Sequence, residues 1–294
     1  MSARRSPSTG RAYGVARVAR VWRLGRASVY RRRATPAEPR RRGPVSALPD
    51  ADLVAEIRAV LTASPFHGEG YRKAWARLRV KGVRTAKRRV MRLMAEHGLR
   101  APGRQGRPRG PRAHDGTIRT ARIDEMWGTD LTTTWTGEGP VSVMIAVDHC
   151  SGECVGIHAA KRATRFEALE PVRQGMRERF GTFAKEAAKG LKLRHDHGSQ
   201  YMAADFQAEI VFLGIESSPA FVRAPESNGC AERFIRTLKE NLLWVRTFDT
   251  VEDLRQALLD FRRRYNDEWI LERHGYRTPA QVRAEQLKPP ARAA

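Results

Sequence analysis

Leu191-Lys192-Leu193-Arg194-His195-Asp196-His197-Gly198-Ser199-Gln200-Tyr201 occupies residues 191–201. Its first five residues read as a short strand, and the strand runs out at a carboxylate. In α/β sheets the carboxyl ends of strands open onto ligand crevices, so Asp196 stands where chemistry is done. A plainer reason for an Asp there is the turn that His197-Gly198 makes next. Upstream, Leu131–Trp135 is rich in Thr and Val141–Val147 is an apolar run. Both read as strands, with Gly137-Glu138-Gly139-Pro140 as the turn between them. Cys154–Ala159 reads as a third strand. A helix is expected from about Thr164 to Phe180, another over Phe206–Leu213, and a brief strand over Ile215–Ser217. From Ser227 one helix is expected to run past Leu243, and another to span 251–266. Three antiparallel strands followed by strand–helix alternation predict an α/β mixed sheet with flanking helices on both faces.

Two more carboxylates have distinctive contexts. Asp130 ends Trp127-Gly128-Thr129-Asp130 and falls within the first strand, where an Asp among Thr residues is disfavoured. Glu232 lies in Ser227-Asn228-Gly229-Cys230-Ala231-Glu232-Arg233-Phe234, with 35 residues between it and Asp196. Glu226 is its rival. Helical spacing places Glu232, Arg236 and Lys239 on one side of their helix. Asp130, Asp196 and Glu232 converging on one point would suit two hard divalent cations, Mg2+ or Mn2+, in phosphodiester chemistry. Each also has a plainer reading, as a surface carboxylate, a turn former or a solvated helix residue. Lys239 is a candidate contact to DNA phosphate. His195 has two readings, one as the residue that orients Asp196 or touches DNA and one as structural. Trp127 and Trp135 are expected to pack the sheet, with flanking the DNA as the other reading. No P-loop pattern is present, so no ATP is implied.

The charge is unevenly spread. The 294 residues carry a formal +23, yet residues 1–122 hold 31 Lys and Arg against 7 Asp and Glu, and residues 123–294 hold 24 against 25. A basic arm before a nearly neutral body reads as a polyanion binder, with nucleic acid as the obvious partner. The plainer reading is a solvated, solubilising surface, against which the helix-turn-helix signals that follow favour double-stranded DNA. Within the arm, Val15, Val18, Ala19 and Trp22 keep helical spacing. Gly25 offers a turn, and a second helix starts at Ala27 with Ser28 near its cap. That is the layout of a helix-turn-helix, with Arg31 and Arg32 suited to phosphates. A Pro/Arg linker follows to residue 49. From Asp50, a plausible N-cap, Leu53, Ile57, Val60 and Leu61 define a helix. A second helix is expected over Tyr71–Val80, a turn at Gly82, and a third helix capped by Thr85 and ending at Gly98. Lys87, Arg88 and Arg89 ride on that third helix. The expected organisation is therefore a basic N-terminal helix-turn-helix and linker at 1–49, a helical DNA-binding domain at 50–100, a linker at 101–122, a catalytic core at 123–285 and a tail at 286–294. Cys150, Cys154 and Cys230 are too few for a disulfide framework and read as buried thiols in a reducing compartment. No apolar run approaches the roughly 18 residues of a membrane span, and no secretory leader is expected.

These contexts resemble the integrase-type transposases of bacterial insertion sequences, in particular the catalytic product of their second open reading frame. His195-Asp196-His197-Gly198-Ser199-Gln200-Tyr201 is similar to that family's second-Asp signature. The 35-residue interval is its Asp-to-Glu spacing, and Lys239 matches its basic residue seven beyond the Glu. Tyr265-Asn266 and His274-Gly275-Tyr276-Arg277-Thr278-Pro279-Ala280 resemble its C-terminal stretch. Gly68-Glu69-Gly70-Tyr71-Arg72 and Arg89-Val90-Met91-Arg92-Leu93-Met94 resemble its helical DNA-binding segment. The resemblance selects Glu232 over Glu226. It implies an RNase H-like core, a Mg-dependent polynucleotidyl transferase that cuts and joins DNA, and a bacterial, nucleoid-associated cytoplasmic location. It also implies a homo-oligomer on paired DNA ends and a companion protein from an upstream frame. His197 departs from the family's common Arg, and Ser227-Asn228-Gly229-Cys230 from its Asp-Asn pair. Two other readings use the same residues: a nuclease without strand transfer, and an inactive DNA-binding regulator.

Overall fold

The computed structural model describes residues 3–33, 48–103, 118–220 and 228–288. Most of both expected linkers, Glu226, Ser227 and residues 289–294 of the expected tail lie outside them. The chain divides into two compact units, Met1–Leu48 and Pro49–Ala294.

The first unit contains helices α1 (Gly14–Val21) and α2 (Arg26–Arg33). Ser28 was expected near the cap of α2, but the helix starts earlier. Gly25 O already accepts from the N–H of Ser28 (2.9 Å) and of Val29 (3.3 Å), so Gly25 is the turn and the cap together. Within α1 only Ala19 is buried, and Trp22 after it is exposed.

In the second unit, α3 (Asp50–Thr62), α4 (Tyr71–Val80) and α5 (Lys87–Glu96) pack through Leu53, Ile57, Val60, Leu78, Val90, Leu93 and Met94. Two expected caps differ. Pro49 precedes α3 without a side-chain cap, and the Asp50 carboxylate instead spans to Arg89 (2.5 Å) and Arg92 (2.6 Å) on α5. Ala86, not Thr85, precedes α5. The Thr85 carbonyl accepts from Trp75 Nε1 at 2.8 Å, which holds Thr85 against α4. In both places a contact between helices outweighs a local cap.

The sheet has β1 (Met126–Thr136), β2 (Gly139–Asp148), β3 (Cys154–Ala160), β4 (Lys192–His195) and β5 (Glu216–Pro219), in the order β3-β2-β1-β4-β5. β1–β2 and β2–β3 are antiparallel, while β1–β4 and β4–β5 are parallel. With helices on both faces this is the RNase H-like arrangement. β1 starts five residues earlier than its Thr-rich stretch implies. Met126-Trp127-Gly128 pairs with β2 and β4 at once, and such two-sided pairing extends a strand past its local propensity. On one face, Val143 and Ile145 meet Phe234 and Leu238 of α9 (Gly229–Leu238) and Leu254 and Phe261 of α10 (Val251–Glu268). On the other, Trp127, Ala146 and Leu193 meet Leu169 and Met176 of α6 (Arg165–Arg179) and Phe206 of α8 (Ala204–Phe212). The short α7 (Ser199–Met202) joins β4 to α8, and α11 (Pro279–Gln286) closes the C-terminal side. At α11, Arg283 pairs with Asp124 (2.7 Å) and with the buried Glu153. Trp127 is core as expected. Trp135 is not: it is 73% exposed at the far end of β1.

The α3–α5 segment leans on this core. Phe66 joins the α9–α10 cluster and meets Trp269 edge-on at 4.8 Å. Lys73 Nζ lies 2.7 Å from the centroid of the Trp269 ring. Arg72 and Glu272 pair at 2.9 Å. The single helix expected from 227 past 243 is broken in kind: α9 gives way to a π turn at Lys239–Leu243. Asn241 explains it. Its side-chain amide donates to Thr237 O (2.9 Å), the carbonyl an α-helix would keep for the Asn241 backbone, and its Oδ1 accepts from His67 N (2.7 Å).

Candidate active site at the carboxyl edge of the sheet

Asp130 sits in β1, two residues past Gly128, and Gly128 lies opposite Arg194 in the parallel β1–β4 register. Asp196 is two residues past Arg194, just beyond the end of β4. The register therefore sets both carboxylates at the same edge, on neighbouring strands. Glu232 comes from the first turn of α9. That turn is pinned to β1 by Asn228, whose Nδ2 donates to Thr129 O at 3.0 Å. Asp196 and Glu232 are exposed, whereas Asp130 is half-buried.

The electrostatics place the three in one field. Burial pushes the Asp130 carboxyl up from 3.8 to about 6, and the charges of Asp196 and Glu232 push the same way. The Leu131 N–H, which donates to Asp130 Oδ1 at 2.8 Å, and the charge of Lys239 act against the rise. The positive charge of Lys239 is thus felt at Asp130. Among the described residues, no three His, Cys, Asp or Glu side chains are drawn closely enough about one point to hold a metal ion as they stand. The donor chemistry still fits a hard divalent cation: carboxylate oxygens only, solvent-accessible, and with excess negative charge.

Asp196 is held by its own turn and by its neighbours. Gly198 N donates to Asp196 Oδ1 at 2.8 Å. His195 is fully buried, with Nδ1 2.6 Å from Asp196 O and Nε2 2.9 Å from Ser217 Oγ, and its ring stacks on Tyr201. His195 therefore orients the Asp196 backbone and is not presented to DNA. Tyr201 is buried beneath the site, with its hydroxyl 3.5 Å from Thr129 Oγ1. Burial pushes its pKa up, and Asp130 and Asp196 add to the shift.

The basic residues divide. Arg31 and Arg32 are exposed on α2. Lys87 and Arg88 are exposed at the start of α5, with Lys87 Nζ 4.4 Å from the Trp75 ring centroid and 3.4 Å from Tyr276 Oη. Arg89 is engaged by Asp50. Arg236 is exposed and donates to Glu240 at 3.0 Å. Asn228, Thr129 and His149 are site neighbours that sequence reading passes over. The one signal for Asn228 is an amide one helical turn ahead of the Glu.

The sheet thus carries acidic residues on β1, just past β4 and in the first turn of α9, behind a helical segment. The family described as Integrase core domain matches residues 213–279, which include Glu232, and the family described as HTH-like domain matches residues 48–107. The chain is homologous over most of its length to the insertion-element transposases. It is 28% identical over 279 residues to Transposase InsD for insertion element IS2A/D/F/H/I/K of Escherichia coli, covering 92% of this chain and 90% of that protein. It is also 28% identical over 284 residues to an Insertion element IS2A uncharacterized 48.2 kDa protein of Escherichia coli, 93% of this chain but only 65% of that protein. Among solved structures, the catalytic core domain of BIV integrase covers 55% of this chain and 95% of its own at 22% identity and a TM-score of 0.42. The HTLV-2 integrase catalytic core domain in complex with magnesium covers 56% and 99% at 19% identity and the same TM-score of 0.42.

Proposed function

We propose that this chain is a DNA transposase that cuts the ends of a mobile element and joins the freed 3′-hydroxyl to target DNA by phosphoryl transfer. The observation that carries this reading is the placement of Asp130 on β1 and Asp196 just past the end of β4, with the turn of α9 that carries Glu232 pinned to β1 by Asn228. Asp130, Asp196 and Glu232 are the residues that would hold Mg2+ or Mn2+, as two ions. Bound there, the metal supplies an activated oxygen nucleophile and charge stabilisation at the leaving oxygen. The remaining work falls to the chain itself. Asp130 must release its proton before it can ligate. Lys239, whose positive charge is felt at Asp130, offers that charge to a DNA phosphate, with Arg236 one turn before it. Arg31, Arg32, Lys87, Arg88 and Arg89 would hold the element ends through phosphate contacts, which position DNA without reading it. A homo-oligomer would bring two ends together.

The test is a Mg2+-dependent cleavage and strand-transfer assay on DNA ends from the gene's flanks, comparing wild type with Asp196→Asn and Glu232→Gln. Both variants are expected to lose more than about 100-fold in cutting and joining, more than an outer-shell partner typically contributes, while still binding the ends. Cutting without joining by wild type would point to a nuclease or to a missing companion protein. Wild type and variants equally inert on DNA that they all bind would leave a DNA-binding regulator.

A further inference from the structure

His149 follows Asp148 at the end of β2 and is fully buried. Its N–H donates to Met126 O at 2.9 Å, which fixes the residue over the start of β1. The ring then reaches two ways. Nδ1 lies 2.9 Å from the carbonyl of Ile118, in the segment that leads from the helical unit into the core. Nε2 points into the small space above Gly128. A Cβ built on Gly128 would stand 2.7 Å from His149 Nε2 and 2.6 Å from Asn228 Oδ1. Both atoms therefore fill the space that only a glycine leaves open. Among the described residues, neither atom makes a hydrogen bond, although both are buried and aimed at the same small space. Asn228 in turn donates to Thr129 O (3.0 Å), beside Asp130, and Glu232 follows one turn along α9. Cys230 Sγ rests 3.9 Å from His149 O.

Both acceptors demand a proton from one imidazole. The Ile118 carbonyl can only accept, and so can the Asn228 amide oxygen. Burial lowers the pKa of His149, and Arg273 and Arg194 lower it further, against the pull of Ile118 O and Asn228. A neutral ring has one N–H to share between the incoming segment and the helix that carries Glu232.

We propose that His149 is a positioning residue that ties Ile118 to Asn228 and so sets where Glu232 stands relative to Asp130 and Asp196. This rests on the metal-dependent reading above. A shift at Ile118 moves the ring, and the ring moves the start of α9. Outer partners of metal ligands act in this way, by orientation and not by ligation.

The experiment compares wild type, His149→Phe, His149→Gln, Asn228→Ala and the double variant His149→Phe/Asn228→Ala. One readout is Mn2+ binding to the DNA-free full chain by electron paramagnetic resonance. A second is the Mg2+ concentration for half-maximal strand transfer. Loss of folded protein lowers the amplitude of either titration but leaves its midpoint in place, so the midpoint isolates positioning. His149→Phe keeps the ring volume and removes both contacts, and it is expected to raise both midpoints about tenfold. Asn228→Ala, which leaves the ring intact, should do the same, and the double variant should add little to either. His149→Gln, which keeps one donor, should recover part of the loss. Unchanged midpoints in both His149→Phe and Asn228→Ala, with wild type binding Mn2+, would overturn the proposal alone. If His149→Phe does not fold, Asn228→Ala decides by the same criterion. A wild type that binds no Mn2+ and joins no DNA would overturn the metal-dependent reading, and this proposal with it.

Discussion

At the scale of single residues, Asp130 ties the electrostatics to the chemistry. Its folded-state pKa, about 6, stands above the ordinary 3.8. A carboxyl raised in this way favours its protonated form in the folded chain. The stability it contributes is full below about pH 3.8 and is lost as pH climbs through about 6. Above that, the metal-free protein carries a half-buried charge facing two others. Asp130→Asn removes the charge and keeps the shape. The variant is expected to be more stable than metal-free wild type near pH 7.5, by about 1–2 kcal/mol within a ceiling of about 3 kcal/mol set by the shift. The gain should vanish near pH 4, where both chains are neutral at this position. Urea denaturation at the two pH values checks it, and equal stabilities at both would show that burial and the neighbouring charges do not raise Asp130. Adding Mn2+ should reverse the order at the higher pH, because only Asp130 can ligate. Asp130 and Asp196 stood out in the sequence by local context, an Asp among strand Thr residues and an Asp where a strand runs out, whereas Glu232 was singled out over Glu226 only by the family resemblance. His149 and Asn228 did not stand out. A histidine after an apolar strand and an asparagine before a helix are ordinary locally, and their meaning comes from Gly128, 21 residues before one and 100 before the other.

At the scale of elements, the sequence showed which segments are strands and helices but not how neighbours override their ends. β1 is longer than its Thr-rich centre because two partners flank Met126-Trp127-Gly128. Asp50 and Thr85 look like caps, yet Asp50 is taken by Arg89 and Arg92 and the Thr85 carbonyl by Trp75. The π turn after α9 has the same origin. Asn241 has no helix-breaking look, and only its partners, Thr237 O within the helix and His67 N from the α3–α4 connection, turn it into a switch of helix type. The π turn therefore joins two jobs: it ends the helix that carries Glu232, and it receives the helical segment. Asn241→Ala removes both bonds and leaves the His67 N–H without its partner. The expected cost is about 1–2 kcal/mol in unfolding free energy. Faster amide exchange at His67 and along Lys239–Leu243 should accompany it, with the middle of α9 little changed. Exchange that rises uniformly through the whole unit would show that the π turn is not a local joint.

At the scale of the whole molecule, positive charge is separated along the chain from the candidate carboxylate site. The carboxylates lie in the half of the chain whose charges nearly cancel, while residues 1–48 alone hold 13 Lys and Arg against a single acidic residue. Those residues form their own compact unit, apart from the one that contains α3–α5 and the sheet. The sheet core and the three proposed metal ligands all belong to the second unit, whereas much of the positive charge belongs to the first. A chain reduced to Pro49–Ala294 is expected to unfold in the same cooperative transition as the full chain and to bind Mn2+ with the same midpoint. Its hold on DNA should weaken and depend less on salt. Each phosphate that the protein neutralises releases condensed counterion and contributes roughly −0.9 to the slope of log affinity against log salt. If Arg31, Arg32 and their neighbours make even three such contacts, the slope should shallow by roughly 2.7 units. Fluorescence anisotropy on an element end across a salt series measures this directly. A reduced chain with the full slope and full affinity would show that the first unit does not touch the DNA backbone, and would place end binding on α3–α5 and the core. A reduced chain that fails to unfold cooperatively would show instead that the first unit supports the second, and that the basic arm serves the fold as well as the DNA.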